Sequence, residues 1–185
     1  MRHDPLADFV QRLEGIVVRK AEGEAVVLKE VCRAMHSLVA SDGWLPEPFT
    51  RADPERYRQY LLHADPQDRF CVVSFVWGPG QQTPIHDHCT WGVIGMLRGA
   101  EVTTAYRESA AGMEAGDEQT LQPGDVAVVS PTVGDIHLVR NAYADRVSIS
   151  IHAYGTNIGK QTRHVFDAGS GARKDFVSSY SNAAA

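Results

Sequence analysis

The spacing of hydrophobic positions changes once along the chain. In PLADFVQRLEGIV the apolar residues Leu6, Phe9, Val10 and Leu13 recur at intervals of three and four. Val27, Leu28, Val31, Met35 and Leu38 do the same in AVVLKEVCRAMHSLV, so both stretches predict amphipathic helices. A third short helix is predicted over DPERYRQYLLH, with Asp53 as N-cap and Pro54 at the first helical position. From RFCVVSFVWGPGQ to about residue 167 the pattern becomes one of β-branched and aromatic runs separated by Gly/Pro turns, as in VVSFVW, GVIGML, EVTTAYR, DVAVVSP, IHLVRN and RVSISIHAY. Many short strands at regular spacing predict an antiparallel sandwich or barrel. The expected fold is mainly β: one domain over 1–185, with a helical N-terminal segment (1–65), a β-barrel (66–167) and a tail (168–185). The tail is rich in Gly, Ser and Ala, and in it Phe176 and Tyr180 can pack.

Composition narrows the class. At 185 residues, with 43% hydrophobic and 22% charged positions, the chain suits one soluble globular domain. A formal net charge of -5 gives no reason to expect a nucleic-acid or membrane partner, although a local basic site can still hold a small anion. The start, MRHDPLADFVQRLEG, lacks the apolar stretch of a signal peptide, and no run approaches the roughly 18 residues of a membrane span. The three cysteines, Cys32, Cys71 and Cys89, are odd in number and scattered, which suits reduced thiols in the cytoplasm.

The chemistry concentrates in two places. In TPIHDHCTWG, His86 and His88 are two apart, so on an extended strand they share a face. Far downstream, GDVAVVSPTVGDIHLVRN carries Gly134, His137 and Asn141. These stretches resemble the paired motifs of the cupin superfamily, a jelly-roll barrel that holds a metal inside. Gly80, His86, His88 and Gly99 match the first motif, but Gly92 stands where that motif has glutamate. One resulting expectation is that the distant His137 joins the pair only because the sheet closes on itself. Imidazole suits iron, zinc, copper or nickel, so the residues alone do not select the metal. Without the carboxylate the ligand set is neutral, and the site favours anions such as a thiolate.

RVSISIHAYG places Ser150, His152 and Tyr154 at alternate positions, with Ile149, Ile151 and Ala153 between them. The same alternation describes a half-exposed strand, but a serine, histidine and tyrosine can also form a hydrogen-bonded row. A three-histidine cupin with a downstream S-x-H-x-Y strand resembles the cysteine dioxygenase family, over about residues 55 to 167. That resemblance implies one Fe(II) per chain on His86, His88 and His137, with the Ser150–His152–Tyr154 row beside it. It also implies a small thiol and O2 as reactants, joined to give a sulfinic acid. Animal members cross-link a cysteine to the active-site tyrosine; the matching position here is Gly92 and Cys89 is out of register, so no thioether to Tyr154 is expected. Members selective for cysteine carry an arginine about 26 residues before the first ligand. Here Gln59 occupies that register, beside Arg58, which resembles the glutamine-type subgroup acting on 3-mercaptopropionate. In that subgroup the substrate carboxylate is bound by an arginine matching Arg163, and here Tyr154 is expected to help hold it. The alternatives are cysteine or mercaptosuccinate as substrate, a non-catalytic metal-binding cupin, or a zinc or manganese isomerase or hydrolase; the missing glutamate disfavours the last. Trp77 and Trp91 are expected in the core or pocket wall. His3, His36, His63 and His164 are expected at the surface or behind the ligands.

Overall fold

The structure is a computed structural model that describes residues 4–183. Helix α1 spans Pro5–Val17 and α2 Glu24–Val39. Asp4 caps α1 by accepting from the backbone N–H of Leu6 and Ala7, with Pro5 opening the helix. The apolar stripes of both helices, including Leu13, Val31 and Met35, are fully buried against the outer face of a sheet. Gly95 is the point of closest approach: a Cβ there would lie 2.6 Å from Met35 Cγ.

Eleven strands follow: β1 (Arg58–Ala64), β2 (Cys71–Trp77), β3 (Ile85–His86), β4 (Gly92–Arg98), β5 (Glu101–Ser109), β6 (Gly112–Leu121), β7 (Val126–Val129), β8 (His137–Asn141), β9 (Ser148–Tyr154), β10 (Arg163–Phe166) and β11 (Arg173–Phe176). They form a five-stranded sheet, β1-β2-β9-β4-β7, and a six-stranded sheet, β11-β10-β3-β8-β5-β6. All pairings within these sheets are antiparallel. The fold is mainly β, a cupin-type jelly-roll barrel preceded by two α-helices. The helices cover the five-stranded sheet, and the cavity lies between the two sheets. Among the described residues, no helix is long and apolar enough to cross a membrane.

The third predicted helix is a strand. Asp53 does accept from the N–H groups of Glu55 and Arg56, as an N-cap would, and it also pairs with the Arg58 guanidinium. The chain then extends and pairs along β2, from Arg58 opposite Val76 to Ala64 opposite Cys71. Tyr57 and Leu61 pack on the cavity side, while Tyr60 and Leu62 pack towards the helices. This alternation has period two, so burial on two faces overrides a local start signal that helices and turns share. The strand-bearing part of the chain therefore begins at residue 58, inside the segment expected to be helical. At the other end, β11 extends the six-stranded sheet from within the tail. There Tyr180 donates its hydroxyl to Asn157 Oδ1 at 2.6 Å and accepts from Gly159 N–H at 3.0 Å.

Candidate active site

His86, on β3, lies directly opposite His137 on β8, and His88 follows in the loop after β3. One ligand atom from each imidazole falls within 4.8 Å of the others, and all three rings are buried. Ring centroids are separated by 4.9 Å for His86–His88, 4.8 Å for His86–His137 and 5.0 Å for His88–His137. His137 is thus joined to the pair by cross-strand pairing within one sheet, and the expectation that barrel closure brings it there is corrected. Closure does something else: it sets β9, in the other sheet, against the three rings. His88 and Tyr154 stack across that gap with centroids 5.5 Å apart.

The donor set fits a metal. His86 Nδ1 lies 3.0 Å from the Pro84 carbonyl and His88 Nδ1 lies 2.9 Å from Asp135 Oδ1. Each Nδ1 is therefore positioned to donate its hydrogen, leaving Nε2 with a lone pair for a cation. Burial drives His86 down to about 3 and His137 well below the usual imidazole range, so both are neutral, as ligands must be. His137 Nδ1 is buried with no hydrogen-bond partner. Asp135 was not singled out by sequence reasoning. Besides His88 Nδ1 it accepts from the backbone N–H of His88 and Cys89, at 3.1 and 2.9 Å. Burial opposes its ionisation, but the His88 and Cys89 hydrogen bonds hold its carboxyl below the ordinary range.

Gly92 has a steric reason. It pairs with Tyr154 in the β4–β9 ladder, and a Cβ at residue 92 would lie 2.9 Å from Val129 Cγ2 and 3.0 Å from the Tyr154 ring. A glutamate cannot occupy this position without displacing the tyrosine. The sulfur of Cys89 is turned to His164 Nδ1 at 3.8 Å, and His164 Nδ1 also pairs with Asp87 Oδ2 at 2.7 Å.

On β9 the predicted row is continuous. Ser150 Oγ lies 2.9 Å from His152 Nε2, and His152 Nδ1 lies 2.9 Å from the Tyr154 hydroxyl. All three are buried, while Ile149, Ile151 and Ala153 face the helix-covered core. Trp77 is a wall residue with a specific contact, its indole N–H donating to Ser150 Oγ at 3.1 Å. Burial lowers His152 well below the imidazole range and raises the Tyr154 phenol. The row is therefore neutral, and its ring nitrogens can pass or fix a hydrogen without carrying charge.

A third group lies at the mouth of the cavity, which is about 420 Å³ with its opening included. Gln59 lines it from β1 and Arg163 from β10, whereas Arg58 points the other way to Asp53. Arg163 is only 4% exposed; it donates to Ser178 Oγ at 2.8 Å and sits 4.6 Å above the Phe176 ring, and its Nε has no partner. The Gln59 side-chain oxygen is likewise buried without a partner. No acidic side chain lines the cavity among the described residues.

Of the remaining residues, Trp91 packs against the helix-covered core and under Gly155. His36 Nδ1 lies 3.1 Å from the Gly124 carbonyl, and His63 stacks on Phe70. His3 lies outside the described residues.

The model of the cysteine dioxygenase type I family matches residues 2–169. The chain belongs to that family. It is 26% identical to cysteine dioxygenase type 1 of Homo sapiens over 170 residues, covering 90% of this chain and 80% of that protein. With the Danio rerio enzyme of the same name it shares 24% identity over 160 residues, covering 83% and 76%. Similar solved structures include a cupin superfamily protein from Desulfitobacterium hafniense, with TM-score 0.48 and 15% identity over 63% of this chain and 94% of that one. Another is a protein from Thermus thermophilus, TT1209, with TM-score 0.46 and 22% identity over 60% and 92%. As a cysteine dioxygenase family member the protein is a thiol dioxygenase, an oxidoreductase from a family of non-haem iron enzymes. Membership sets aside the non-catalytic and the isomerase or hydrolase readings.

Proposed function

We propose that this chain is an Fe(II) dioxygenase of a small mercapto-carboxylate, with 3-mercaptopropionate preferred over cysteine and mercaptosuccinate. The product is the sulfinic acid: both oxygen atoms of O2 end on sulfur, and sulfur supplies all the electrons. The observation that carries this reading is Arg163. A buried guanidinium with no acidic partner and a free Nε is costly unless an anion completes it. A carboxylate is the anion that a planar fork holds best. Gln59 adds a neutral amide whose N–H can donate to the same carboxylate. The cavity lining offers no carboxylate to neutralise an α-ammonium, which favours the substrate that lacks one.

His86, His88 and His137 would hold one Fe(II), which would supply a neutral-ligand cation at which a thiolate and O2 meet. The chain's own residues do the remaining work. Arg163 and Gln59 fix the carboxylate end, so the thiol end is directed at the three imidazoles. Tyr154, stacked on His88, presents its hydroxyl to the same space and helps hold the carboxylate. His152 and Ser150 hold that hydroxyl in place. The aromatic walls, Tyr57, Phe75 and Trp77, keep bulk water away from the charged end.

Oxygen uptake by iron-loaded protein, with sulfinate quantified, tests this with 3-mercaptopropionate, cysteine and mercaptosuccinate side by side. Stoichiometric sulfinate with the highest kcat/KM for 3-mercaptopropionate is expected. A higher value for cysteine or mercaptosuccinate rejects the substrate assignment while keeping the dioxygenase.

A further inference from the structure

The strand that carries His86 has a second face. Val165 on β10 lies opposite His86, and the chain continues this pairing to His164 and Asp87, where the Asp87 N–H donates to the His164 carbonyl at 3.2 Å. Alternation therefore turns the Asp87 and His164 side chains away from the cavity. On its other side His164 is paired with Asp175 of β11. Asp87 Oδ1 accepts from the backbone N–H of His164 at 2.7 Å, and Oδ2 accepts from its Nδ1–H at 2.7 Å. Asp175 Oδ1 stands 3.7 Å from the opposite ring nitrogen, Nε2.

Cys89 completes the group. It follows His88 in a left-handed conformation, φ 54, that is uncommon for a residue with a side chain. Its backbone N–H is held by Asp135, and its sulfur lies 3.8 Å from His164 Nδ1. One ligand atom each of Asp87, Cys89 and His164 falls within 4.8 Å of the others. None of the three lines the cavity, and the proposed reaction uses none of them. Among the described residues, the other two cysteines, Cys32 and Cys71, belong to no such group.

A thiol, an imidazole and a carboxylate serve two chemistries. A nucleophile relay needs the sulfur at one ring nitrogen and a carboxylate hydrogen-bonded to the other. Here Nδ1 gives its hydrogen to Asp87 and has no lone pair for the Cys89 thiol, while Asp175 is too far from Nε2 for a hydrogen bond. Sulfur and carboxylate converge instead on the same nitrogen, which is the arrangement of a cation site. Tetrahedral Zn(II), with bonds of about 2.3 Å to sulfur and about 2.0 Å to nitrogen or oxygen, sets edges of about 3.5 Å for S···N and about 3.3 Å for N···O. The Cys89–His164 separation is within about 0.3 Å of its edge. The Asp87–His164 separation has to open by about 0.6 Å, as follows when a cation replaces the hydrogen between the two atoms.

We propose that Asp87, Cys89 and His164 form a second metal site, on the outer face of the barrel, that takes one Zn(II) or a cation of the same borderline class. The sulfur and Nδ1 release their hydrogens to solvent, and the ring hydrogen then sits on Nε2, on the side of Asp175. One carboxylate and one thiolate balance the charge of the ion, in contrast to the neutral set of three histidines. Cys89 is exposed, so water reaches the fourth position. The ion ties the loop that carries His88 to β10, which carries Arg163, and so braces the wall shared by the two.

Cobalt(II) is the probe, because a thiolate bound to it gives an intense charge-transfer band in the near ultraviolet and imidazoles do not. The full chain, free of substrate and of thiol reductant, is titrated with Co(II). The wild type should bind a second equivalent with a thiolate band, and Zn(II) should then remove the band. Cys89→Ser should lose the band and the second equivalent. His164→Gln should weaken the sulfur-bound equivalent by more than about tenfold. His137→Ala, which disrupts the three-histidine site, should keep the band. A wild type with no thiolate band overturns the proposal, as does a band that survives Cys89→Ser. Loss of the band in folded His137→Ala protein also overturns it, since the sulfur would then belong to the other ion. If His137→Ala does not fold, the wild type and Cys89→Ser decide between them. Turnover does not enter the test, so rejection of the thiol substrate would leave this site to be decided by its own spectrum.

Discussion

The two ends of the cavity are built on opposite principles. Along β9, the polar atoms of Ser150, His152 and Tyr154 are satisfied by one another and by Trp77. At the mouth, the Gln59 oxygen and Arg163 Nε are buried and left without partners. The two regions share a cavity, Arg163 is as buried as the row, and the oxygen of the half-buried Gln59 is itself shielded, so solvent does not explain the contrast. A closed network is rigid before anything binds and can place one hydroxyl accurately. An open pair of polar groups costs stability in the empty protein and recovers it when a complementary ligand arrives. Under the function proposed above, the satisfied end would be machinery and the unsatisfied end the place where substrate is read. The three histidines combine both principles: Nδ1 of His86 and His88 is held from behind, and the set is completed only by a cation.

Five substitutions challenge that division, and the largest effect is expected at the metal wall. His137→Ala should abolish iron binding and with it all turnover, checked by metal analysis beside oxygen uptake; full iron retention would remove His137 from the ligand set. Tyr154→Phe breaks the machinery end, and kcat should fall about a hundredfold with iron content unchanged; loss of iron instead would make Tyr154 a structural support. Arg163→Gln acts at the reading end, so KM for 3-mercaptopropionate should rise by about 10- to 100-fold, while a thiol with no carboxylate is turned over as before. Equal losses for both thiols would show that Arg163 does not read the carboxylate. Asp135→Asn removes the charge behind His88, and iron affinity should weaken by about tenfold or somewhat more, measured by competition with a chelator. Gln59→Leu should have the smallest effect, a change in KM of about two- to tenfold, because only one neutral hydrogen bond is lost. An intact mass equal to that of the unmodified chain would further establish that Tyr154 carries no thioether, as the absence of a sulfur at Gly92 and the turn of Cys89 towards His164 lead us to expect.

Much of the site could be read from spacing because strands have a period of two. His86, the alternating row of Ser150, His152 and Tyr154, and the apolar residues between them fall on the expected faces. Gln59 and Arg58 show the limit. Under a helical reading a one-residue slip exchanges them, whereas on β1 adjacent residues face opposite ways, so Gln59 enters the cavity and Arg58 meets Asp53. The Asp53–Pro54 start signal was present, and the turn it specifies forms, yet β2 offered the following residues two faces to bury. Asp135 and Glu101 were missed for different reasons. Asp135 accepts from His88 and Cys89, 47 and 46 positions earlier, and only the fold brings these groups together. Glu101 is buried at the start of β5, and nothing around it in EVTTAYR marks it as such.

By itself the sequence determined which residue types were available for the chemistry, that the fold would be dominated by short strands, and that one strand would carry a polar face against an apolar one. These follow from local covalent geometry, since side-chain alternation needs only an extended backbone. Tertiary structure decided the rest: His137 pairing across to His86, Tyr154 stacking on His88, Gln59 turned inward and Asp135 reaching His88. Each of these is a contact between distant segments, set by strand register and by how the two sheets pack, and no local pattern encodes either.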